Sequence, residues 1–342
     1  MPVRDGARWL REAIASVQVQ TLEDFELIIV DDGSEDETPR IIEASGRGDS
    51  RIQVLRQERR GLVPALNRGL TRARCPLVAR LDADDRAHPQ RLERQKQYLD
   101  GHPEIGLLGA WADQIDEQGA RIGSLRPPTR PKALAELLAR MNPMLHSSII
   151  LRASVLQKVG FYRPAFEGAE DYDLWVRISE VTEVANLPEC LLQYRVHCES
   201  VTHRARARQM FSTRLVQRSA AARQTNAHGP DIDVTAPPDW LATESLSSPI
   251  YGDIARLYCL LDLADSSNLT GPCDHRSDIS ALSNGNIVLN HAERRMAQLA
   301  LLNLLKRSTA SRNTSRAATL WHFIRLHPLR AIQLGYQAFL KN

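Results

Sequence analysis

A short apolar run that ends in a cluster of carboxylates places the strongest constraint on how this chain folds. Residues 77–81 have the length and composition of one buried strand, and residues 82–85 (Asp-Ala-Asp-Asp) follow at once. Asp82 and Asp84 are two apart, so on an extended chain they project the same way. Converging carboxylates repel each other unless a cation such as Mg²⁺ or Mn²⁺ lies between them. The pattern predicts a strand that ends at a divalent-metal site; the alternative is a solvated acidic turn.

A second acidic cluster follows an earlier predicted strand. Residues 25–30 are an apolar, β-branched run, and Asp31 and Asp32 come directly after it. Pro39 suits the first turn of a helix, with Thr38 as its N-cap. Strand, acidic loop and helix in this order are typical of α/β sheets, which bind ligands at the carboxyl ends of their strands. The two aspartates are therefore candidates to bind a nucleobase or ribose, although such residues also form ordinary turns.

Up to about residue 111, the chain continues this alternation of strands and helices, and the rhythm then changes. Periodicity predicts elements over residues 10–17, 52–55, 62–73, 89–99, 105–111, 134–141 and 147–151. The polar segment 119–131 is predicted to be a loop. The alternation favours an α/β fold with a mostly parallel central sheet flanked by helices.

Six short motifs occur in order along the first 200 residues. They lie at residues 2–6, 30–34, 61–69, 80–85, 170–175 and 194–197. Taken together and in this order, they resemble the motifs of family 2 glycosyltransferases of the bacterial cell-surface polysaccharide kind. The resemblance implies a GT-A fold, Rossmann-like, over residues 1–203. Residues 204–342 would form a helical C-terminal region that matches no family we can name.

The resemblance assigns the first motifs to a nucleotide-sugar donor. Asp31 and Asp32 resemble the residues that hold its base and ribose, and the loop that contains Pro2 normally lies against the base. Asp82 would lie near the ribose. Arg80 would touch the nucleotide or its diphosphate, or else form a structural ion pair.

The later motifs imply a metal ion and a catalytic base. Asp84 resembles a direct metal ligand, and His197 resembles a histidine that reaches the metal or the diphosphate in some relatives. The metal, Mn²⁺ or Mg²⁺, would neutralise the leaving diphosphate as a Lewis acid. The pair Glu170 and Asp171 resembles the dyad that supplies the base, and we favour Asp171. Both acids also suit the first turn of a helix.

The implied reaction is a single displacement that inverts the anomeric centre. Sugar would pass from the nucleotide to a glycan or lipid-linked acceptor during cell-surface polysaccharide synthesis.

Two departures from the family pattern bear on the donor site. Met1 directly precedes Pro2, so we expect the first, central strand to be missing because the start was assigned too late. Arg4 and Asp5 replace the usual aromatic residue and asparagine, which leaves the base undetermined.

Composition favours a cytoplasmic enzyme rather than a nucleic-acid-binding or membrane-spanning protein. The net charge is only +3, and no Lys/Arg-rich motif of a nucleic-acid reader is present. The five cysteines form no Cys-x-x-Cys pair, and their odd number fits a reducing compartment. No apolar run reaches the roughly 18 residues that span a bilayer, and no signal peptide opens the chain.

The C-terminal region has a different character. Residues 204–222 and 250–263 are predicted helices, separated by a polar linker near 226–249 and followed by another near 265–286. Residues 291–342 are rich in Arg, Leu and aromatic residues and contain one acidic residue. Basic amphipathic helices of this kind suit peripheral contact with an anionic membrane, but a helical bundle with an ordinary core explains the same pattern.

Two other functions stay open at this point. A sugar nucleotidyltransferase would need a Gly-rich phosphate loop after the first strand, and residues 2–6 do not provide one. A non-catalytic relative that acts as a binding subunit would explain the missing strand, but not the retained acidic motifs. Dehydrogenase and P-loop functions lack their glycine signatures.

Overall fold

The computed structural model describes residues 1–197, 206–225 and 237–239, and also Ser248, Tyr251, Gly252, Ile254, Ala255 and Tyr258. The chain divides into two compact units, residues 1–237 and 238–342. The predicted boundary at residue 203 stays a prediction. The linker at 265–286 and the basic tail at 291–342 lie outside the described residues. In the second unit, Ile254, Ala255 and Tyr258 are buried.

The first half of the first unit alternates strands and helices, as the sequence pattern indicates. Its elements are β1 (Pro2–Val3), α1 (Leu10–Gln18), β2 (Leu27–Asp32), α2 (Thr38–Gly48), β3 (Ile52–Gln57), α3 (Leu62–Arg72), β4 (Leu77–Ala79), β5 (Arg86–Ala87) and α4 (Arg91–Gly101). The apolar face of α1, with Leu10 and Ile14 almost fully buried, packs in one core with Ile29 of β2 and Ile42 of α2. Burial of these apolar faces is the main force that holds the helices on the sheet.

The second half adds longer strands and the helix that carries the predicted base. Its elements are β6 (Ile105–Ile115), β7 (Arg121–Leu125), α5 (Pro131–Leu138), β8 (Ile150–Arg152), α6 (Ala153–Val159), α7 (Glu170–Ser179), β9 (Glu183–Arg195) and α8 (Arg206–Thr225). Helix α8 belongs to the first unit and contacts α7. Among the described residues, no helix is both long enough and apolar enough to cross a bilayer.

The strands form two sheets. In the first, β1, β2 and β3 pair in parallel with β2 in the middle. The second sheet has the order β4-β8-β6-β9-β5, and only its β6–β9 pair is parallel. Strand β7 pairs with β6 as an antiparallel hairpin within the segment 119–131 that was predicted to be a loop. That prediction was wrong because β7 is an edge strand whose residues are exposed or half-buried, without the alternation that a buried face produces.

The first strand is short rather than missing, which corrects the expectation from the sequence. Residues Pro2–Val3 pair in parallel with β2, and the Met1 amine donates to the Ile28 carbonyl oxygen at 2.9 Å. No described strand continues β1 between β2 and β4, so the sheet is divided there. Apolar side chains from both sheets, including Ile28 and Val78, line a cavity of about 310 Å³.

Candidate active site

Three carboxylates of the loop after β4 converge on one small volume. One oxygen from each of Asp82, Asp84 and Asp85 lies within 4.8 Å of the other two. The Asp82 and Asp84 side chains are each 33% exposed, whereas Asp85 is 1% exposed. The loop thus presents two accessible carboxylates above one that is enclosed in the protein. The two-residue spacing of Asp82 and Asp84 does bring them together, as the sequence pattern predicts.

Two neighbouring segments, the turn before β8 and the end of β9, hold this acidic loop in shape. Ser147 Oγ accepts a hydrogen bond from the Asp82 amide at 2.8 Å, and Asp85 Oδ1 accepts one from the Arg195 amide at 2.8 Å. The other Asp85 oxygen, Oδ2, is buried and has no partner of hydrogen-bond geometry in the described part of the chain. A buried carboxylate oxygen without a donor, beside two further carboxylates, suits a hard divalent cation.

The pKa values of the acidic loop also favour a bound cation. Burial raises the pKa of Asp85 well above its usual range, and the charges of Asp82 and Asp84 raise it further, whereas the nearby Ser147 hydroxyl and the Arg195 amide oppose the rise. Burial also raises the pKa of Asp82, although the nearby guanidinium of the buried Arg80 opposes this. Negative charge is thus unfavourable in this loop without a cation. The donor set, three carboxylates and one imidazole, fits Mn²⁺ or Mg²⁺.

His197 lies at the edge of the acidic cluster. Its Nε2 is 2.8 Å from Asp84 Oδ2, and its ring packs on Trp9 with 4.5 Å between centroids. The second ring nitrogen, Nδ1, is buried and has no hydrogen-bond partner among the described residues. The structure therefore brings the two predicted metal-binding residues, Asp84 and His197, into direct contact.

Arg80 interacts with both the acidic cluster and the predicted base. Its side chain is buried and forms an ion pair with Asp82, so the structural ion pair that the sequence left open is present. Its Nε has no hydrogen-bond partner in the part of the chain that is described. Its charge acts on the pKa values of Glu170 and Asp171. The acidic loop and the start of α7 therefore belong to one electrostatic site.

The two candidate bases at the start of α7 differ in accessibility. Asp171 is half-buried; its Oδ2 accepts a hydrogen bond from Asn142 Nδ2 at 2.8 Å and its Oδ1 one from the Tyr172 amide at 2.6 Å. Glu170 is buried, and its Oε2 accepts from the Gly168 amide at 2.8 Å. Burial, and then the charge of Asp171, raises the pKa of Glu170 to about 7. Asp171 is thus the more accessible of the two.

The pKa of Asp171 is also raised, and burial is the main cause. The Tyr172 amide, the Arg80 charge and the Asn142 side chain limit the rise because each favours the ionised form. His146 is in hydrogen-bond contact with the Tyr162 hydroxyl through Nε2, at 2.8 Å. Burial, together with Arg80, lowers the pKa of His146 well below its usual range, so its imidazole is neutral at pH 7.

The first acidic loop, after β2, is built differently. Asp32 Oδ1 accepts hydrogen bonds from Gln57 Nε2 at 2.7 Å and the Arg60 amide at 2.8 Å, and its Oδ2 accepts from the Gly61 amide at 2.8 Å. Asp31 Oδ1 accepts from the Ser34 amide at 3.0 Å. Both carboxylates are buried. Asp32 therefore fixes the segment that leads into α3, while Asp31 keeps an oxygen that accepts no hydrogen bond from the described residues.

The loop after β1 lies against both acidic loops. The Asp5 amide donates to Ser34 Oγ at 3.0 Å, and the Gly6 amide donates to Thr38 Oγ1 at 2.9 Å. Thr38 was predicted to be the N-cap of α2 but is its first residue, because its hydroxyl binds Gly6 instead of the helix. A Cβ on Gly6 would lie 3.7 Å from the Cβ of Ala83. Pro2 itself lies in β1, opposite Val30.

Several residues of the site were not assigned by sequence reasoning. Asp85 was visible as a third acid but received no role, and Ser147, Asn142 and Arg195 support the acidic loop or Asp171 from other strands and loops. Their contacts span 29 to 110 positions in sequence. The Arg195 signal was present in the motif at 194–197, whereas nothing local marks Ser147.

Comparison with known proteins identifies the family. The model of glycosyl transferase family 2 matches residues 1–160. The O-antigen biosynthesis glycosyltransferase WbnJ of Escherichia coli is 33% identical over 211 residues, which cover 60% of this chain and 82% of WbnJ. The chain belongs to glycosyltransferase family 2. The amylovoran biosynthesis glycosyltransferase AmsE of Erwinia amylovora is 32% identical over 197 residues, covering 57% of this chain and 73% of AmsE.

Solved structures confirm the fold of this family 2 chain. Staphylococcus aureus TarS 1–349 in complex with UDP-GlcNAc superposes with a TM-score of 0.58 at 14% identity, covering 98% of this chain and 90% of TarS 1–349. The mannosyltransferase PcManGT of Pyrobaculum calidifontis, in complex with GDP-Man and Mn²⁺, gives a TM-score of 0.50 at 18% identity, covering 91% and 86% of the two chains. The predicted GT-A fold is therefore confirmed.

Proposed function

We propose that this chain is an inverting glycosyltransferase of polysaccharide biosynthesis. It transfers a sugar from a nucleotide-sugar donor to a glycan or lipid-linked acceptor. The observation that carries the proposal is one electrostatic site in which Arg80 links three clustered carboxylates to the half-buried Asp171. The relatives named for amylovoran and O-antigen biosynthesis, and the neighbours bound to UDP-GlcNAc and GDP-Man, support the substrate classes.

The acidic loop is the proposed metal and diphosphate site. Asp82, Asp84 and Asp85 would hold a divalent cation, Mn²⁺ or Mg²⁺, with His197 beside Asp84. When bound, the cation neutralises the charge of the leaving diphosphate as a Lewis acid. Arg80 is already paired with Asp82, so it holds that carboxylate in place and adds positive charge to the site.

The proposed base is Asp171. As the acceptor hydroxyl oxygen bonds to the anomeric carbon, the bond from that carbon to the diphosphate oxygen breaks and the hydroxyl proton passes to Asp171. A single displacement of this kind inverts the configuration. Asn142 and the Tyr172 amide keep the Asp171 carboxylate in one orientation. A raised pKa makes that carboxylate a stronger base than a solvated aspartate.

The nucleotide is proposed to lie along the loops after β1 and β2. Asp31, with one oxygen that accepts no hydrogen bond from the described residues, is better placed to accept a bond from the base or ribose than Asp32. Pro2 and the loop that follows it form the neighbouring wall.

We also propose a cytoplasmic enzyme whose basic C-terminal residues 291–342 contact an anionic membrane peripherally, an idea that rests on sequence alone.

Donor binding and product analysis test the proposal together. Calorimetry with UDP, GDP and dTDP sugars, with and without Mn²⁺, compares the wild type with Asp84→Asn and with the exposed control Asp100→Asn. We expect metal-dependent binding of one nucleotide, lost only in Asp84→Asn. Proton NMR of the product then reports whether the anomeric configuration is inverted. Folded protein that binds no donor would instead support the non-catalytic relative.

A further inference from the structure

A second buried arginine, Arg195, lies against the acidic loop. Arg195 is the last residue of β9, and its side chain is fully buried. It is two positions before His197, so the end of β9 supplies both residues to the same loop. Burying a guanidinium is costly unless its N–H groups are bonded and its charge is compensated. The partners of Arg195 must therefore compensate the cost of burying it.

Arg195 binds the acidic loop through its backbone and its side chain. Its amide donates to Asp85 Oδ1 at 2.8 Å, and its Nε donates to the backbone carbonyl oxygen of Asp84 at 2.9 Å. His197 contacts the same Asp84 through the carboxylate, at Oδ2. The end of β9 thus fixes the main chain of Asp84, one oxygen of Asp85 and one oxygen of Asp84.

The rest of the guanidinium ties this loop to two other segments. Its Nη1 donates to the carbonyl oxygens of Asp116 and Glu117 at 3.0 and 3.1 Å, in the turn after β6. Its Nη2 donates to Glu12 Oε2 of α1 at 2.7 Å. Among the described residues, Glu12 is the only carboxylate that forms an ion pair with Arg195, and it lies on α1 rather than in the acidic loop.

Arg80 and Arg195 therefore bind the acidic cluster differently: Arg80 binds a carboxylate, whereas the Arg195 side chain binds the main chain. Arg80 occupies a carboxylate oxygen of Asp82, an atom that a cation would otherwise take. Arg195 places a positive charge beside Asp84 and Asp85, but its side-chain N–H groups donate to carbonyl oxygens and to Glu12. A cation that bonds carbonyls stabilises a cluster of acids without competing for their oxygens.

We propose that Arg195 is a positioning residue for the cation site, holding the Asp84–Asp85 main chain so that their carboxylates converge on the metal. The inference rests on the proposed function, since it takes the acidic loop as the cation site. Partners outside the ligand set commonly change metal affinity by about 10- to 100-fold when they are removed. Lysine keeps the charge but lacks the planar fork, so it should replace Arg195 only in part.

Mn²⁺ binding to the metal-free full chain, followed by electron paramagnetic resonance, tests this role with Mn²⁺ alone as the probe. The variants are Arg195→Lys and Arg195→Met. The matched control is Arg152→Lys, because Arg152 also binds carbonyl oxygens away from the acidic loop, those of Leu99 in α4, His102 just after it and Ile105 at the start of β6. A purely structural role would make Arg195→Lys and Arg152→Lys alike in Mn²⁺ affinity.

We expect Arg195→Met to weaken Mn²⁺ binding by about 10-fold or more and Arg195→Lys by less, with Arg152→Lys unchanged. Equal Mn²⁺ affinity in all folded variants would overturn the positioning role while leaving the proposed function intact. A folded wild type that binds no Mn²⁺ would overturn the cation site itself. If both Arg195 variants fail to fold, Glu12→Gln, which weakens the pairing of Arg195 Nη2 and also that of Arg86, should still weaken Mn²⁺ binding about two- to three-fold. Unchanged affinity there would count against the proposal.

Discussion

The two acidic loops of this enzyme look alike in sequence and differ in what their carboxylates do. Asp32, after β2, and Asp85, after β4, are both buried, at 4% and 1% exposure. Asp32 accepts three hydrogen bonds from the segment 57–61. Asp85 accepts one from a main-chain amide, keeps Oδ2 without a partner of good geometry, and lies beside two more acids.

The comparison separates an acid that builds the fold from acids that are available to a ligand. Amide donors stabilise an ionised carboxylate and use up its lone pairs, so Asp32 has little left for a nucleotide. The raised pKa of Asp85, caused by burial and then by Asp82 and Asp84, shows that its negative charge is poorly compensated. A motif of paired aspartates is therefore not enough to assign a ligand role.

The largest expected effect tests an acid that belongs to neither loop. Asp171→Asn should lower kcat by about 10²- to 10⁴-fold, because the base is lost, while donor and Mn²⁺ affinity stay near wild type. Rates of sugar transfer and calorimetry of the donor would be measured on the same samples. The neighbouring Glu170→Gln serves as the matched variant and should lose far less. If Glu170→Gln were the more damaging change, the base assignment would be reversed.

The next effect concerns Asp85 in the second loop. Asp85→Asn should weaken Mn²⁺ binding by about 10-fold or more, because the cluster loses a negative ligand. Without metal, its thermal midpoint should equal or exceed that of the wild type, since the repulsion with Asp82 and Asp84 is relieved. Metal titration and calorimetric melting report the two quantities. A metal-free variant that melts well below wild type would mean that Asp85, like Asp32, holds the fold.

The matching change in the first loop should have the opposite signature. Asp32→Asn cannot accept all three hydrogen bonds as a carboxylate does, so we expect a loss of about 1–3 kcal/mol in the free energy of unfolding. Mn²⁺ affinity should not change. Urea unfolding followed by circular dichroism gives the first number. Normal stability together with lost donor binding would show that Asp32 contacts the nucleotide after all.

The smallest expected effect is a shift in pH dependence. The base must be ionised, so kcat/KM should rise with pH through the raised pKa of Asp171 and then level off. Asn142→Ala removes a donor that favours the ionised carboxylate, so this rise should move to higher pH. Asn142→Gln should restore part of the shift. A pH profile of kcat/KM identical to wild type in Asn142→Ala would exclude the contact as a determinant of basicity.

Sequence reasoning recovered the elements that bury an apolar face and missed those that do not. Helices α1 and α3 and strands β2 and β6 follow the pattern of their buried residues. Strand β7 was missed because none of its residues is fully buried and it shows no alternation, and the two-residue β5 is too short to produce a pattern.

In the candidate site, residues within motifs could be predicted from the sequence, whereas roles that depend on distant partners could not. Asp82, Asp84, Asp171 and His197 lie in motifs, so their residues could be named in advance. The difference between Asp31 and Asp32 could not be, because it depends on amides 28 and 29 positions away that only folding brings near. The role of Arg195 likewise depends on a carbonyl 111 positions away.

Mn²⁺ binding by electron paramagnetic resonance, on wild type, Asp84→Asn and Asp32→Asn, tests the contrast between the two loops most directly. We predict one bound Mn²⁺ in the wild type and in Asp32→Asn, and none in Asp84→Asn at the same metal concentration. Equal binding in Asp84→Asn, or binding lost in a folded Asp32→Asn, would contradict the account, because the cation would then depend on the wrong loop.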